Sequence, residues 1–538
     1  SWDRVIAHNA VGDRLRQSWG RMPPMDISDV AYDAFLVNGV REMSLEDTRP
    51  GERIRLRIIN AAASTYFHLQ YAGGPMTVVA ADGPDVQPTE VDRLLIAIAE
   101  TYDVIVTAPA EGSSEFRATA QDVSGHTSLF IGKGHRMMAP DIPPPNLFKM
   151  HDMMDMSGMS HGEGIPGENA HMDMSKGQTS DEKAIESPMK MEMGMKSSDS
   201  DAPGHGDMDM GTGTMKEMAQ HGSMQDADHV TLDYSMLHSP HSTKLPEANP
   251  AREIRLELTG NMERYVWAFN NRTLSEADKI LIRQGENVRF VLVNRTMMHH
   301  PMHLHGHFFR VVEGQGDFAP LKHTVDVPPM GTVVMEFEAN EEKDWFFHCH
   351  ILYHMMSGMA RVVSYEGSTV DPLLEEARKD MREMTDHDWF FWGEAAAMSH
   401  MHEGEVELSN TRNGLLADWE ANWEGEYEVD ADYQRFLSRF LGLYAGGTFT
   451  DEDERGVVGI RYVLPLYIES DLRIDTEGDV RLELGSSIAL TSRLELVWMV
   501  DTDEEWEVGA EYVLTKHLSI AGSYHSEFDG GAGLLFRF

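Results

Sequence analysis

The chain has 538 residues, with 89 Asp and Glu against 45 Lys and Arg, so its formal charge at pH 7 is -44. That charge argues against nucleic acid or an anionic membrane surface as a partner, since both repel acid. The length allows about three domains of ordinary size, and 37 methionines and 26 histidines in an acidic chain point to metal cations. No apolar run reaches the length of a membrane helix. A signal peptide is also lacking, and the chain opens with Ser1-Trp2, so its amino end is expected to be missing or processed.

Residues 1–140 read as all-β. "GERIRLRIINAA" and "DRLLIAIAETYDVIVTAP" alternate apolar and polar residues, with turn clusters such as "AADGPD" between them. Several short strands at that spacing imply a sandwich. The pattern then collapses. Residues 141–250 form a compositionally biased insert, and Met150 to Met224 alone hold 16 of the 37 methionines, among Gly, Ser, Asp and His. Its centre has no apolar period and no aromatics, and the insert as a whole is expected to be disordered. Thioethers are soft donors that prefer Cu(I), while His and Asp accept Cu(II), so the insert reads as copper-capturing. A plain solvated linker would seldom choose oxidisable methionine.

Strands resume at "AREIRLELTG" and continue through "NVRFVLVNRT" and "TVVMEFEAN", giving a second sandwich over 251–368. A linker with a charged helix, "DPLLEEARKDMREM", fills 369–402. Residues 403–538 alternate strictly: Leu494, Leu496, Trp498 and Val500 share one side of a strand, and Leu534, Phe536 and Phe538 share another. Tight acidic or Gly-rich turns separate these runs, as in a membrane β-barrel, although a soluble meander would alternate as well. The expected fold is therefore all-β: two Greek-key sandwiches, the insert between them, and an antiparallel barrel of about eight to ten strands.

The one cysteine, Cys349, lies in "FFHCHILYHMMSGM". Alone it can be a reactive thiol, a buried filler or a metal ligand. If "FHCHI" is a strand, His348 and His350 point one way and Cys349 the other. Upstream, in "HHPMHLHGHFF", His303 and His305 share a parity and His300 has the opposite one. Two back-to-back metal sites follow. One face collects Cys349, His300, His354 and the softer Met359, a thiolate, two imidazoles and a weak thioether, which is the donor set of a blue copper site. The other collects His303, His305, His348 and His350, which suits copper or zinc. A structural zinc site needs only four ligands, whereas eight converge here.

These motifs carry a family resemblance. "HPMHLHGH" and "HCHILYHMMSGM" resemble the carboxy-terminal copper motifs of multicopper oxidases, and "KHTVDVPPMGT" with "NRTMMHHPMHLHG" is similar to the periplasmic copper-resistance oxidases of the CopA family. "PGERIRLRIINAAASTYFHLQYAGGPMTVVAADG" resembles that family's second cupredoxin domain, and the insert sits where the family carries methionine-rich copper-binding repeats. The resemblance covers about residues 1 to 367. It implies type 1 copper on His300, Cys349, His354 and Met359, type 2 copper on His303, and type 3 copper on His305, His348 and His350, with catalysis resting on Cys349, His348 and His350. It also implies oxidation of Cu(I) or another reduced substrate, with O2 reduced to water.

One departure stands out. The family's trinuclear cluster uses eight histidines, half of them from two HxH motifs in a first cupredoxin domain. Before Met150 this chain has only His8, His68, His126 and His135. The expectation is a missing first domain, supplied by the same gene or a partner chain, without which the chain is inactive. The alternative is a copper-sequestering protein without turnover. "FWGEAAAMSHMHEGEVEL", "ADWEANWEGEYE" and "GIRYVLPLYIESDLRID" resemble the outer-membrane copper-resistance protein CopB over about 388 to 538. That resemblance implies a periplasmic oxidase tethered to the outer membrane of a Gram-negative bacterium, with the barrel as anchor.

Overall fold

The computed structural model describes residues 1–22, 27–28, 30–145, 147, 229–261, 264–368, 386–526 and 529–538. The methionine-rich centre of the insert and the expected charged helix lie outside the described residues.

The chain does not begin as a strand. Trp2–Ala7 and Val11–Trp19 are helices, a correction to the all-β reading of 1–140. The first twenty residues lack period-2 alternation, and Asp13 and Arg16 pair one helical turn apart at 3.0 Å. Arg21, just beyond, stacks over Phe440 and donates to the Tyr462 hydroxyl at 2.7 Å, so this end of the chain lies against the barrel.

The first sandwich follows. One sheet runs in the order Glu42–Leu45, His126–Lys133, Gly112–Ala120, Phe67–Tyr71, Arg93–Ile96; the other in the order Arg53–Ile59, Thr101–Thr107, Met76–Ala81, Asp85–Val91. Thr101–Thr107 illustrates the rule that builds it: Tyr102, Val104 and Val106 are buried, while Asp103 on the reverse face meets Arg55 at 2.7 Å.

The second sandwich places Val266–Phe269, Ala251–Asn261, Asn287–Asn294, Thr332–Glu338, Phe309–Val311 and Leu321–Lys322 in one sheet. Ile280–Ile282, Ala360–Tyr365, Asp344–Cys349, His300–Leu304 and Thr324–Val327 form the other. Phe290 sits between them, edge-on to Phe337 at 5.5 Å and Phe347 at 5.3 Å.

The two sandwiches share one apolar core. Where they meet, the fully buried ammonium of Lys322 lies 3.2 Å from Asp82 and 3.1 Å from Glu100. A buried cation is tolerated only with such partners. Part of the expected insert belongs to this junction: Leu232, Tyr234 and Leu237 are buried, and the Tyr234 hydroxyl donates to Glu100 at 2.5 Å. The insert is therefore structured at its carboxy-terminal end, because apolar residues return there before the first long strand.

The tail closes into a barrel of twelve antiparallel strands, from Phe390–Met398 to Asp529–Arg537, with the last pairing the first. Two expectations are corrected. The barrel begins at 390 rather than 403, and it has twelve strands rather than eight to ten. "FFWGEAAAM" hides its alternation because alanines occupy both faces. Leu472, Ile474, Leu482, Leu496, Val508 and Phe536 face outward and are exposed. Inside, Arg461 meets Asp432 at 2.7 Å and Arg473 meets Asp430 at 2.7 Å, around a cavity of about 620 Å³. No helix among the described residues is long and apolar enough to cross a membrane; the apolar surface belongs to strands.

Replacing Phe290 by Ala removes a ring at the centre of the second sandwich, and a loss of about 3–5 kcal/mol is expected. Denaturation followed by tryptophan fluorescence is expected to show a lowered sandwich midpoint. Heat-modifiable gel migration of the barrel is expected to stay unchanged.

Candidate metal centre

The centre is built on two antiparallel neighbours, His300–Leu304 and Asp344–Cys349. Their register sets Met302 opposite Cys349 and His303 opposite His348. Because side chains alternate, His300 and Cys349 fall on the sandwich side, while His303 and His348 fall on the reverse side. The parity expected from the sequence is the parity observed.

On the sandwich side Cys349 Sγ lies 3.6 Å from His300 Nδ1 and 3.7 Å from His354 Nδ1, and the two imidazole nitrogens are 3.2 Å apart. All three residues are fully buried, and among the described residues they form the one His/Cys/Asp/Glu group whose donor atoms all lie within 4.8 Å. His354 reaches the site from the short helix Leu352–Met356, directly after the cysteine strand. A return loop completes it. The Met359 N–H donates to the His354 carbonyl at 2.9 Å, and the Cys349 N–H donates to the Met359 carbonyl at 3.0 Å. Met359 is thereby fixed, fully buried, against the triad. The loop needs Gly358: its φ is +118°, and a Cβ there would meet the Thr273 side chain at 2.5 Å.

Three residues that the sequence did not single out shape this site. The Thr296 hydroxyl sits 2.7 Å from His300 Nε2, so Nδ1 is left to face the thiol. Trp267 stacks on the His354 ring at 3.8 Å and meets His300 edge-on at 5.3 Å. Asp326 holds the neighbouring His299 at 2.7 Å. Burial pushes the His300 imidazole well below its usual range, with His354 adding to the effect. A neutral imidazole is the form that binds metal. A dry pocket with one sulfur and two nitrogens converging, and a thioether residue locked beside them, fits copper better than a structural zinc set.

On the reverse side the four expected histidines come together. Ring centroids are 4.8 Å apart for His303 and His305, 5.7 Å for His303 and His350, and 5.2 Å for His348 and His350. His305 Nε2 and His348 Nε2 approach to 3.1 Å. His303 Nδ1 donates to the His323 carbonyl at 2.8 Å, and His348 Nδ1 donates to the Cys349 carbonyl at 2.9 Å. Each of these rings has one nitrogen fixed by backbone and the other free to face the cluster. His323, absent from the expected set, lies 5.1 Å from His303. Its segment is anchored from the first sandwich, since Asp82 accepts from the His323 and Thr324 N–H groups at 3.0 Å each. Its signal was available in "KHTVDV", where a histidine precedes a buried strand.

Residues 8–132 and 247–368 each match a multicopper oxidase family model. Those two stretches are thus similar to multicopper oxidase domains. The chain is also similar to copper-resistance proteins. The copper resistance protein A homolog of Pseudomonas syringae pv. tomato is 36% identical over 369 residues, covering 65% of this chain and 62% of that protein. Copper resistance protein A of Escherichia coli is 36% identical over 386 residues, covering 66% and 63%. The chain therefore spans less than two thirds of the length of these relatives. Among solved structures, the multicopper oxidase Fet3p, described as functioning in iron import, aligns at 15% identity and a TM-score of 0.42 over 66% of this chain and 64% of that one.

Burial holds the folded imidazole of His348 down to about 3 and that of His303 down to about 4, from 6.5. Folding thus favours their neutral forms, a contribution present above pH 6.5 and lost as the pH falls through the window from 6.5 to the folded values. Thermal midpoints of the metal-free protein are expected to fall between pH 6.5 and 4. A His303→Gln/His348→Gln variant is expected to fall less steeply, and equal slopes would contradict this origin.

Proposed function

We propose that the chain is the type 1 and partial trinuclear portion of a copper-resistance multicopper oxidase. In this reading Cu(I) or another reduced substrate is oxidised and O2 is reduced to water. One observation carries it: a thiolate–imidazole set and an all-imidazole set lie on opposite faces of the same strand, one residue apart. His300, Cys349, His354 and Met359 would hold type 1 copper. His303 would serve type 2 copper, with His305, His348 and His350 serving the type 3 pair. Copper, when bound, supplies one-electron transfer. The chain's own part is to hold the thiol-bearing set dry and both donor sets oriented, and to join them through the peptide units between Cys349 and its flanking histidines. Those units are fixed by the His348–Cys349 carbonyl contact at 2.9 Å and by the His350 N–H donating to the Pro301 carbonyl at 2.7 Å.

The barrel supports a location at the outer membrane of a Gram-negative bacterium, with the sandwiches in the periplasm. Its outward rows are apolar and its inside is charged, which is the pattern of an outer-membrane barrel. Turn residues tie it to the second sandwich: Arg412 pairs with Glu276 at 2.5 Å, and Arg264 donates to the Thr411 carbonyl at 2.9 Å. A second reading is copper retention without turnover, which the buried Cys349–His300–His354 set would support by itself. Oxygen reduction then calls for histidines from a further cupredoxin domain.

Cys349→Ser is expected to abolish the blue absorption of the copper-loaded protein and its substrate oxidation. Met359→Leu is expected to keep the colour and raise the reduction potential, because an axial donor to Cu(II) is lost. A Cys349→Ser protein that stayed blue would overturn the type 1 assignment. Copper held by the parent protein with no oxygen consumption, even when a further cupredoxin domain is supplied, would favour retention.

A further inference from the structure

The barrel wall is notched at the end that faces the sandwiches. Strand Ile468–Asp475 pairs with Val480–Ala489 only as far as Glu469 opposite Gly485. Beyond that point residues 486–489 keep their partners on Leu494–Asp501 but have no ladder partner on the Ile468–Asp475 side. The short turn Pro465–Tyr467 stands at the gap, where the Ser486 hydroxyl donates to the Tyr467 carbonyl at 3.1 Å. An unpaired strand edge at the margin of a membrane barrel calls for a cover.

The two opening helices provide it. Val11–Trp19 packs on the Pro465–Tyr467 turn, and the Asp3 N–H donates to the Leu490 carbonyl at 2.9 Å. Between helices and notch lies a cavity of about 540 Å³, with Trp2, Leu15, Leu466, Ile468, Ile488 and Trp498 as its apolar wall. That volume is in the range of small-molecule sites. Ile468, Ile488 and Trp498 share the outward parity of Leu472 and Leu496, so the cavity is continuous with the apolar outer rows of the barrel. Glu469 and Glu495 also border it, but with inward parity, on the lumen side. Arg14 lines the cavity from the helix, and its Nη1 is shut off from solvent with no hydrogen-bond partner among the described residues. Burial also pushes this guanidinium below its usual range. Such a cation is costly until an anion meets it, and phosphate can do so with two parallel bonds.

We infer that this cavity holds one anionic phospholipid, with its phosphate on Arg14 and an acyl chain along Leu466, Ile488 and Trp498. The assignment rests on the outer-membrane reading of the barrel. Although the whole chain is strongly acidic, residues 1–21 carry four arginines (Arg4, Arg14, Arg16, Arg21) against two aspartates (Asp3, Asp13), so the local charge is complementary to such a lipid. The lumen-side carboxylates repel the head and so keep it at the helix end of the cavity. Val11, Leu15 and Trp19, spaced by four residues, form an exposed apolar stripe on the covering helix, which suits a helix lying in the membrane interface. The lipid thereby seals the notch that strand pairing leaves open.

Native mass spectrometry of the full chain in detergent, with phosphatidylglycerol or phosphatidylcholine added, tests the inference. The parent is expected to retain one phosphatidylglycerol in preference to phosphatidylcholine. Arg14→Gln is expected to weaken that retention at least about tenfold, while Arg14→Lys keeps most of it, with heat-modifiable migration showing a closed barrel in each variant. Equal retention of the two lipids overturns the inference, and so does undiminished retention by Arg14→Gln. A closed, detergent-dependent barrel that retains no lipid also overturns it and leaves the outer-membrane reading standing. A chain that stays soluble and monomeric without detergent counts against that reading and removes the inference with it.

Discussion

Everything at the metal centre depends on the register between His300–Leu304 and Asp344–Cys349. With Met302 opposite Cys349 and His303 opposite His348, each strand presents one donor set to the sandwich interior and another to the reverse face. A slip of one residue would exchange the faces and destroy both sites at once. The register is therefore held from several directions. The aromatic packing of Phe290 and Phe347 fixes the strand from within. The Met359 carbonyl fixes its end, and the first sandwich fixes the neighbouring segment through Asp82.

The two sandwiches have to be considered together for the same reason. The buried Lys322 bridges Asp82 and Glu100 of the first sandwich, and the next two residues, His323 and Thr324, are tied to Asp82 through their backbone. His303 in turn rests on the His323 carbonyl. A charge buried at the junction is thus coupled, through three short contacts, to the orientation of an imidazole in the cluster. Breaking such a pair leaves an uncompensated ion, so the interface tolerates little relative movement.

Much of this was legible in the sequence because alternation and parity are local. The opposed faces of "HPMHLH" and "FHCHI" required only the period of a strand, and His300, His303, His348 and Cys349 lie on the faces that period gives them, whereas His354 comes from the helix that follows. What escaped was non-local or compositionally muted. Trp267 and Thr296 act on His354 and His300 through folding, from positions with no motif of their own. Asp82 reaches His323 across 241 residues. The opening helices were hidden by the strong alternation that follows them. The first barrel strand is masked by alanines, which fit either face, so alternation alone starts the barrel too late.

The claim most exposed to test is that Cys349 is a copper ligand alongside His300 and His354. X-ray absorption on the full chain loaded with one equivalent of Cu(II) addresses it directly. The account predicts one short copper–sulfur scatterer together with two imidazole nitrogens. A first shell of nitrogen and oxygen alone would contradict it, and with it the reading of the second sandwich as a type 1 domain.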